Sequence, residues 1–341
     1  MTSALDTYPP SLKPIVTHVL DKLKKHQETT FGASQGEGGG KRSPLFVAFQ
    51  GPQGSGKTHL TSLLRKYLEA EPHCLKVAVL SIDDLYLTHA GLVEVAAKHS
   101  DNFLLSGRGQ PGTHDVALGV QLLSKLKEIN KIGQDDAVRL PFFDKSLFAG
   151  EGDRVQDSGN VVHRPLDIVV FEGWCVGFYP LSPRSLEDRY ESFMKHLMDR
   201  DPDMREKSGL MTSSLPPFTL EQIKTINEML WSYLEWWSSF RVFVQIAPPD
   251  NAPYSIVYKW RLQQEHAMKA KNGGKGLTDE QVKTFIDRYI PGYVFFLEGI
   301  QNGLIDPSST SDDQDKQPKW KGNGLKVTLD EDRALVATSL F

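Results

Sequence analysis

An apolar run, Leu45-Phe46-Val47-Ala48-Phe49-Gln50, feeds directly into Gly51-Pro52-Gln53-Gly54-Ser55-Gly56-Lys57-Thr58, and a helical run from His59 to Tyr67 follows. Strand, glycine-rich loop and helix in this order form the Walker A pattern, whose spacing lets backbone N–H groups turn inward around phosphates. Lys57 then reaches the β- and γ-phosphates, and Thr58 offers a hydroxyl to Mg²⁺. The helix start at His59 adds favourable partial positive charge. Gly51 through His59 are therefore the candidate nucleotide-contacting residues.

Bulk properties narrow the remaining classes. The 341 residues carry a net charge of −4, so no global basic field marks nucleic acid or an anionic membrane as a main partner. Cys74 and Cys175, the two cysteines, exclude a disulfide framework or a cysteine-rich zinc site. Both read as buried structural thiols. No apolar run approaches the roughly 18 residues of a spanning helix, and residues 1–10 lack a signal-peptide core. The expectation is a cytoplasmic protein, with nuclear entry left open, and oligomeric state is not legible.

Residues 11–26 place Leu12, Ile15, Val16, Val19, Leu20 and Leu23 at helical spacing, so an N-terminal helix within residues 1–28 precedes the nucleotide core. Residues 29–44 read as a Gly/Ser-rich connector and residues 45–341 as one domain. Within it, residues 198–217 and 306–322 read as exposed insertions. Apolar segments 75–82 and 167–171 read as strands running into Asp83-Asp84 and Glu172-Gly173. In open parallel sheets ligands bind beyond the carboxyl ends of strands, so these acids can share a site with the phosphate loop. The expected fold is a doubly wound, mostly parallel α/β sheet. Residues 219–240 read as one long amphipathic helix, with Trp231, Trp236 and Trp237 as core packing. Residues 241–246 follow as a buried strand, and residues 325–329 as a last one.

A phosphate loop alone does not choose among kinases, GTPases and motors. Asn130-Lys131-Ile132-Gly133 lacks the Asp of a guanine-specific element, and the 167–171 strand ends in one acid followed by Gly rather than Asp-Glu. Both favour a small-molecule kinase. Four further segments carry a resemblance: Ser81-Ile82-Asp83-Asp84-Leu85-Tyr86, Arg108-Gly109-Gln110-Pro111-Gly112-Thr113-His114-Asp115, Pro141-Phe142-Phe143-Asp144-Lys145-Ser146 and Phe171-Glu172-Gly173-Trp174. With Val257 to Glu265 and Arg288-Tyr289-Ile290-Pro291-Gly292-Tyr293, the chain resembles the plant-type D-glycerate 3-kinase family and its fungal relatives. That family is related to uridine kinase, phosphoribulokinase and pantothenate kinase.

The resemblance implies the P-loop kinase fold, ATP and Mg²⁺, and a small hydroxyl-bearing acceptor, with D-glycerate first. Uridine, pantothenate and other sugar-acid acceptors remain alternatives, as does an ATP-binding regulatory protein without turnover. Phosphoryl transfer needs a positioned acceptor and charge neutralisation. Asp83 matches the family's first motif Asp and is the candidate base, with Asp84 as its substitute or a metal ligand. Glu172, with Thr58, is the candidate Mg²⁺ holder. Tyr86, Arg108, His114, Asp115, Lys145 and Arg154 lie in segments expected to converge on the acceptor. Arg261, beside Lys259 on a lid segment, is the candidate catalytic charge, alongside Lys57.

Overall fold

The computed structural model describes residues 4–33, 43–131, 133, 136–198, 218–250, 253–271, 273–304 and 317–341. Ten strands occur among them: β1 (Leu45–Gln50), β2 (Val77–Ser81), β3 (Ala137–Arg139), β4 (Phe143–Asp144), β5 (Asp153–Arg154), β6 (Val161–His163), β7 (Ile168–Gly173), β8 (Val242–Ala247), β9 (Gly324–Leu329) and β10 (Leu335–Leu340). Six of them build the central sheet in the order β10-β9-β8-β1-β7-β2. All neighbours pair in parallel except β9 and β10. Two small antiparallel ladders, β3 with β6 and β4 with β5, stand apart from it.

Every residue of β1, β7 and β8 is buried, as expected for parallel strands covered on both faces. Alternation along these strands sorts them into two layers. Phe46, Ala48, Val169 and Phe171 join one apolar layer, with residues of the helices Val116–Glu128 and Leu220–Leu230. Leu45, Val47, Phe49, Ile168 and Val170 join the other, with the helices Leu12–Ala33 and Lys57–Glu69. The result is a three-layered α/β molecule whose central strands all end at the same edge of the sheet.

Several expectations change. The first helix runs to Ala33, past the expected connector start at residue 29, and its buried face of Leu12, Ile15, Val16, Val19 and Leu23 belongs to the second apolar layer. Residues 34–42 of the connector, residues 199–217 and residues 305–316 lie outside the described residues. Trp320, inside the segment 306–322 read as exposed, is fully buried, with its indole N–H donating to the Ile300 carbonyl at 2.8 Å. The expected helix over 219–240 breaks at a 3₁₀ turn, Trp231–Tyr233, before a short helix Leu234–Trp237. Trp231 is 48% exposed, whereas Trp236 and Trp237 are core. Cys74 is exposed rather than buried, while Cys175 is buried as expected. Strand β10 had no counterpart in the sequence reading, because it is an edge strand with only one face against the molecule and residues 336–340 all exposed.

Candidate active site

The carboxyl end of β1 opens into the phosphate loop. Gly54 and Gly56 have φ of 74° and 85°, left-handed values that favour glycine. A Cβ on Gly54 would lie 2.5 Å from the backbone carbon of Trp260, so only glycine lets the Pro253–Lys271 helix press against the loop. Pro52 and Ser55 are buried, and the Ser55 hydroxyl donates to the Pro52 carbonyl at 2.7 Å, bracing the loop from within. Gly51 N–H donates to the Gly173 carbonyl at 3.4 Å, tying the loop to β7. Lys57, Thr58 and His59 form the first turn of the Lys57–Glu69 helix, whose leading amides have no intrahelical acceptor and point to where an anion binds.

Glu172 sits in β7 opposite Phe49 and Ser81, which brings it to the loop. Its side chain is buried, and Oε1 accepts the Thr58 hydroxyl at 2.9 Å. The second oxygen, Oε2, is buried without a hydrogen-bond partner. A carboxylate oxygen in that state needs a donor or a cation, and the oxygen-only set of Thr58 and Glu172 fits Mg²⁺.

Asp83 and Asp84 belong to a 3₁₀ turn, Ile82–Leu85, that continues β2; Ser81 Oγ accepts the Asp83 N–H at 3.3 Å and starts the turn. Asp83 and Lys145 form an ion pair. Burial opposes ionisation of Asp83, but the Lys145 ammonium and then Lys57 outweigh it and hold the carboxyl well below the usual carboxylate range. Lys145 is raised in turn, chiefly by Asp83. Asp84 behaves oppositely: burial pushes it up to about 6, although it accepts the Phe143 N–H at 3.2 Å.

The β4–β5 hairpin hangs over these acids. Besides the Lys145 and Phe143 contacts, the Arg108 guanidinium donates to the carbonyls of Gly150 (2.6 Å) and Glu151 and lies over the Phe143 ring. Arg154 pairs with Asp115 at 2.9 Å, and Asp115 caps the Val116–Glu128 helix by accepting Leu118 N–H. These two residues, expected to bind the acceptor, hold the hairpin to the helix. His114 is also internal: it stacks on Tyr86 at 4.4 Å, and its Nδ1 meets the Tyr233 hydroxyl at 2.8 Å. Burial lowers it to about 3, so it is neutral. Tyr86 is itself buried between His114 and Phe143.

Arg261 lies beside the phosphate loop through its backbone, but its guanidinium pairs with buried Glu265 at 2.7 Å and covers the Phe285 ring. Lys259 pairs with Glu331. Three contributors had no assigned role in the sequence reading. The Tyr293 hydroxyl bonds the Gln53 side chain in the phosphate loop. Arg288 donates to the Leu104 and Gly107 carbonyls beside Arg108. Arg333, from the β9–β10 turn, donates to the Gly54 carbonyl at 2.8 Å. Tyr293 and Arg288 stand in a quoted motif, whereas Arg333 follows three acids in a turn that carries no periodic signal.

Comparison with known proteins agrees with this geometry. No protein-family model matches the chain. A probable ATP-dependent kinase, TDA10, of Saccharomyces cerevisiae is 37% identical over 286 residues, covering 84% of this chain and 87% of the relative. The chloroplastic D-glycerate 3-kinase of Arabidopsis thaliana is 33% identical over 258 residues, covering 74% of this chain and 48% of the relative. A solved D-glycerate 3-kinase from Cryptococcus neoformans superposes with a TM-score of 0.79 at 40% identity, covering 97% of this chain and 99% of that one. A P-loop, strand-tip acids and these relatives converge: the chain belongs to the family of ATP-dependent small-molecule kinases that includes the D-glycerate 3-kinases and TDA10.

Proposed function

We propose that the protein transfers the γ-phosphoryl group of ATP, as its Mg²⁺ complex, to a hydroxyl of D-glycerate, giving 3-phosphoglycerate. The observation that carries the kinase chemistry is the meeting of Thr58 and Glu172 at the phosphate loop, with Asp83 on the neighbouring strand tip. The choice of D-glycerate is supported by the relatives that bear that name.

In this reading the loop amides and Lys57 orient the triphosphate, and Thr58 with Glu172 would hold Mg²⁺. The ion, when bound, neutralises charge on the outer phosphates. Asp83 faces the acceptor hydroxyl and takes its hydrogen bond. Once the Lys145 ammonium, the main influence lowering Asp83, is drawn to the substrate, the carboxylate becomes basic enough to take the hydroxyl proton as the acceptor oxygen bonds to phosphorus and the bond to ADP breaks. Lys145 changes partner from Asp83 to the acceptor's anionic end as the substrate enters.

The test is purified protein with ATP and Mg²⁺ against D-glycerate, uridine and pantothenate, with ADP release and product identity measured. D-Glycerate is expected to exceed the others in kcat/KM by about tenfold or more. Preference for another acceptor, or ADP release that no acceptor stimulates, would overturn the assignment.

A further inference from the structure

The last hairpin of the chain reaches across the sheet edge to the nucleotide side of the site. Its turn, residues 330–334, is closed by its own hydrogen bonds: Asp330 Oδ1 accepts the N–H groups of Asp332 (2.9 Å) and Ala334 (2.8 Å), and Arg333 N–H donates to the Asp330 carbonyl at 3.0 Å. This closure holds Arg333 at φ 64°, a left-handed value uncommon for a residue with a side chain. Such a conformation persists where surroundings over-determine it.

The strained residue makes three directed bonds. Its Nε donates to the Gly54 carbonyl at 2.8 Å, one terminal nitrogen donates to the Trp260 carbonyl at 2.9 Å, and the other donates to Gln263 Oε1 at 2.6 Å. One guanidinium thus spans the phosphate loop and the helix that presses on it. Burial lowers its pKa, so the positive charge is partly withdrawn from water beside an anion-binding loop. Two independent contacts fasten the turn to the same helix: the Trp260 indole donates to the Asp330 carbonyl at 3.1 Å, and Lys259 pairs with Glu331 at 2.7 Å.

A phosphate cradle turns its amides inward, so its carbonyls point outward and need donors. The Gly54 carbonyl shares a peptide plane with Ser55 N–H, which donates to the Pro52 carbonyl at 3.2 Å. Arg333 on one side and Pro52 on the other hold that plane against a flip that the freedom of Gly54 would otherwise permit. We infer that Arg333 is a positioning residue for the triphosphate: the terminal hairpin locks the phosphate loop and the Pro253–Lys271 helix in the geometry that receives ATP. This inference rests on the reading of that loop as the ATP site.

The experiment measures ATP, ADP and adenosine binding to the full-length protein by displacement of a fluorescent nucleotide, together with the KM of each substrate, for wild type, R333A and R333K. For R333A, ATP and ADP should weaken by about tenfold or more, the usual consequence of losing charged hydrogen bonds, with adenosine and the acceptor KM changed less than about twofold. R333K keeps the charge but not the fork, so it should recover only part of the ATP affinity. A uniform loss over all ligands in R333A would reduce the hairpin to a structural support, and so would unchanged ATP binding. If R333A fails to fold, R333K decides: wild-type ATP affinity in that variant overturns the inference. Failure of wild type itself to bind ATP would instead remove the reading on which it rests.

Discussion

Asp83 and Asp84 are neighbours in sequence, yet their surroundings drive their carboxyls in opposite directions. Lys145 and Lys57 keep Asp83 ionised throughout the neutral range despite its burial, whereas burial lifts Asp84 to about 6. Asp83 is therefore an ionised hydrogen-bond acceptor throughout the neutral range, the state that the proposed reaction asks of it. D83N should leave ATP affinity within a few fold while turnover falls by roughly 10² or more, and steady-state kinetics with nucleotide titration checks both. Unchanged turnover would remove Asp83 from the chemistry. Asp84 has a different signature. Its folded pKa lies above the unfolded value of about 4, so its ionisation costs stability above pH 6, and that cost fades as pH falls through 6 toward 4. D84N, whose amide oxygen still accepts the Phe143 N–H, should melt higher than wild type at pH 8. The difference should vanish near the unfolded value of about pH 4, and a gap that stays constant with pH would contradict the assignment.

Among the elements, the proposed reaction assigns the β4–β5 hairpin to the acceptor and the phosphate loop to the nucleotide. Arg108 holds the hairpin by the Gly150 and Glu151 carbonyls, so R108A should raise the acceptor KM more than that of ATP; an effect confined to ATP would place Arg108 elsewhere. The phosphate loop was legible in the sequence because its glycines, Lys57 and Thr58 are contiguous and a strand and a helix flank them. Asp83 and Glu172 were legible as strand-tip acids, since alternation and β-branched runs mark where strands end. The contact of Arg333 with the phosphate loop and that of Tyr233 with His114 were not, because each side chain comes from a remote segment whose local pattern says nothing of its target. The 3₁₀ break at Trp231–Tyr233 shows why: a continuous helix fits the apolar spacing, but the turn delivers the Tyr233 hydroxyl to Gly112 N–H and His114. Asp115 and Arg154 illustrate the converse. Their residue types suit an acceptor site, yet the fold pairs them with each other.

For the whole molecule, strand order does the assembling. Placing β7 between β1 and β2 sets Glu172 beside the phosphate loop and Asp83 one strand farther out, so the phosphate loop, Glu172 and Asp83 line up along one sheet edge. The far side of the sheet is anchored by Trp320, fully buried against Phe243 at 4.7 Å. W320A should cost about 3–5 kcal/mol in denaturant unfolding, the usual range for a large core aromatic, and a loss below about 1 kcal/mol would show the site to be loosely packed. The most direct measurement is phosphorus NMR of the wild-type protein with ATP, Mg²⁺ and D-glycerate. The account predicts that the γ-phosphate signal gives way to a phosphomonoester on the glycerate carbon that bears two hydrogens, with ADP formed in equal amount. Unchanged ATP, or inorganic phosphate as the sole new phosphorus species beside ADP, would contradict it.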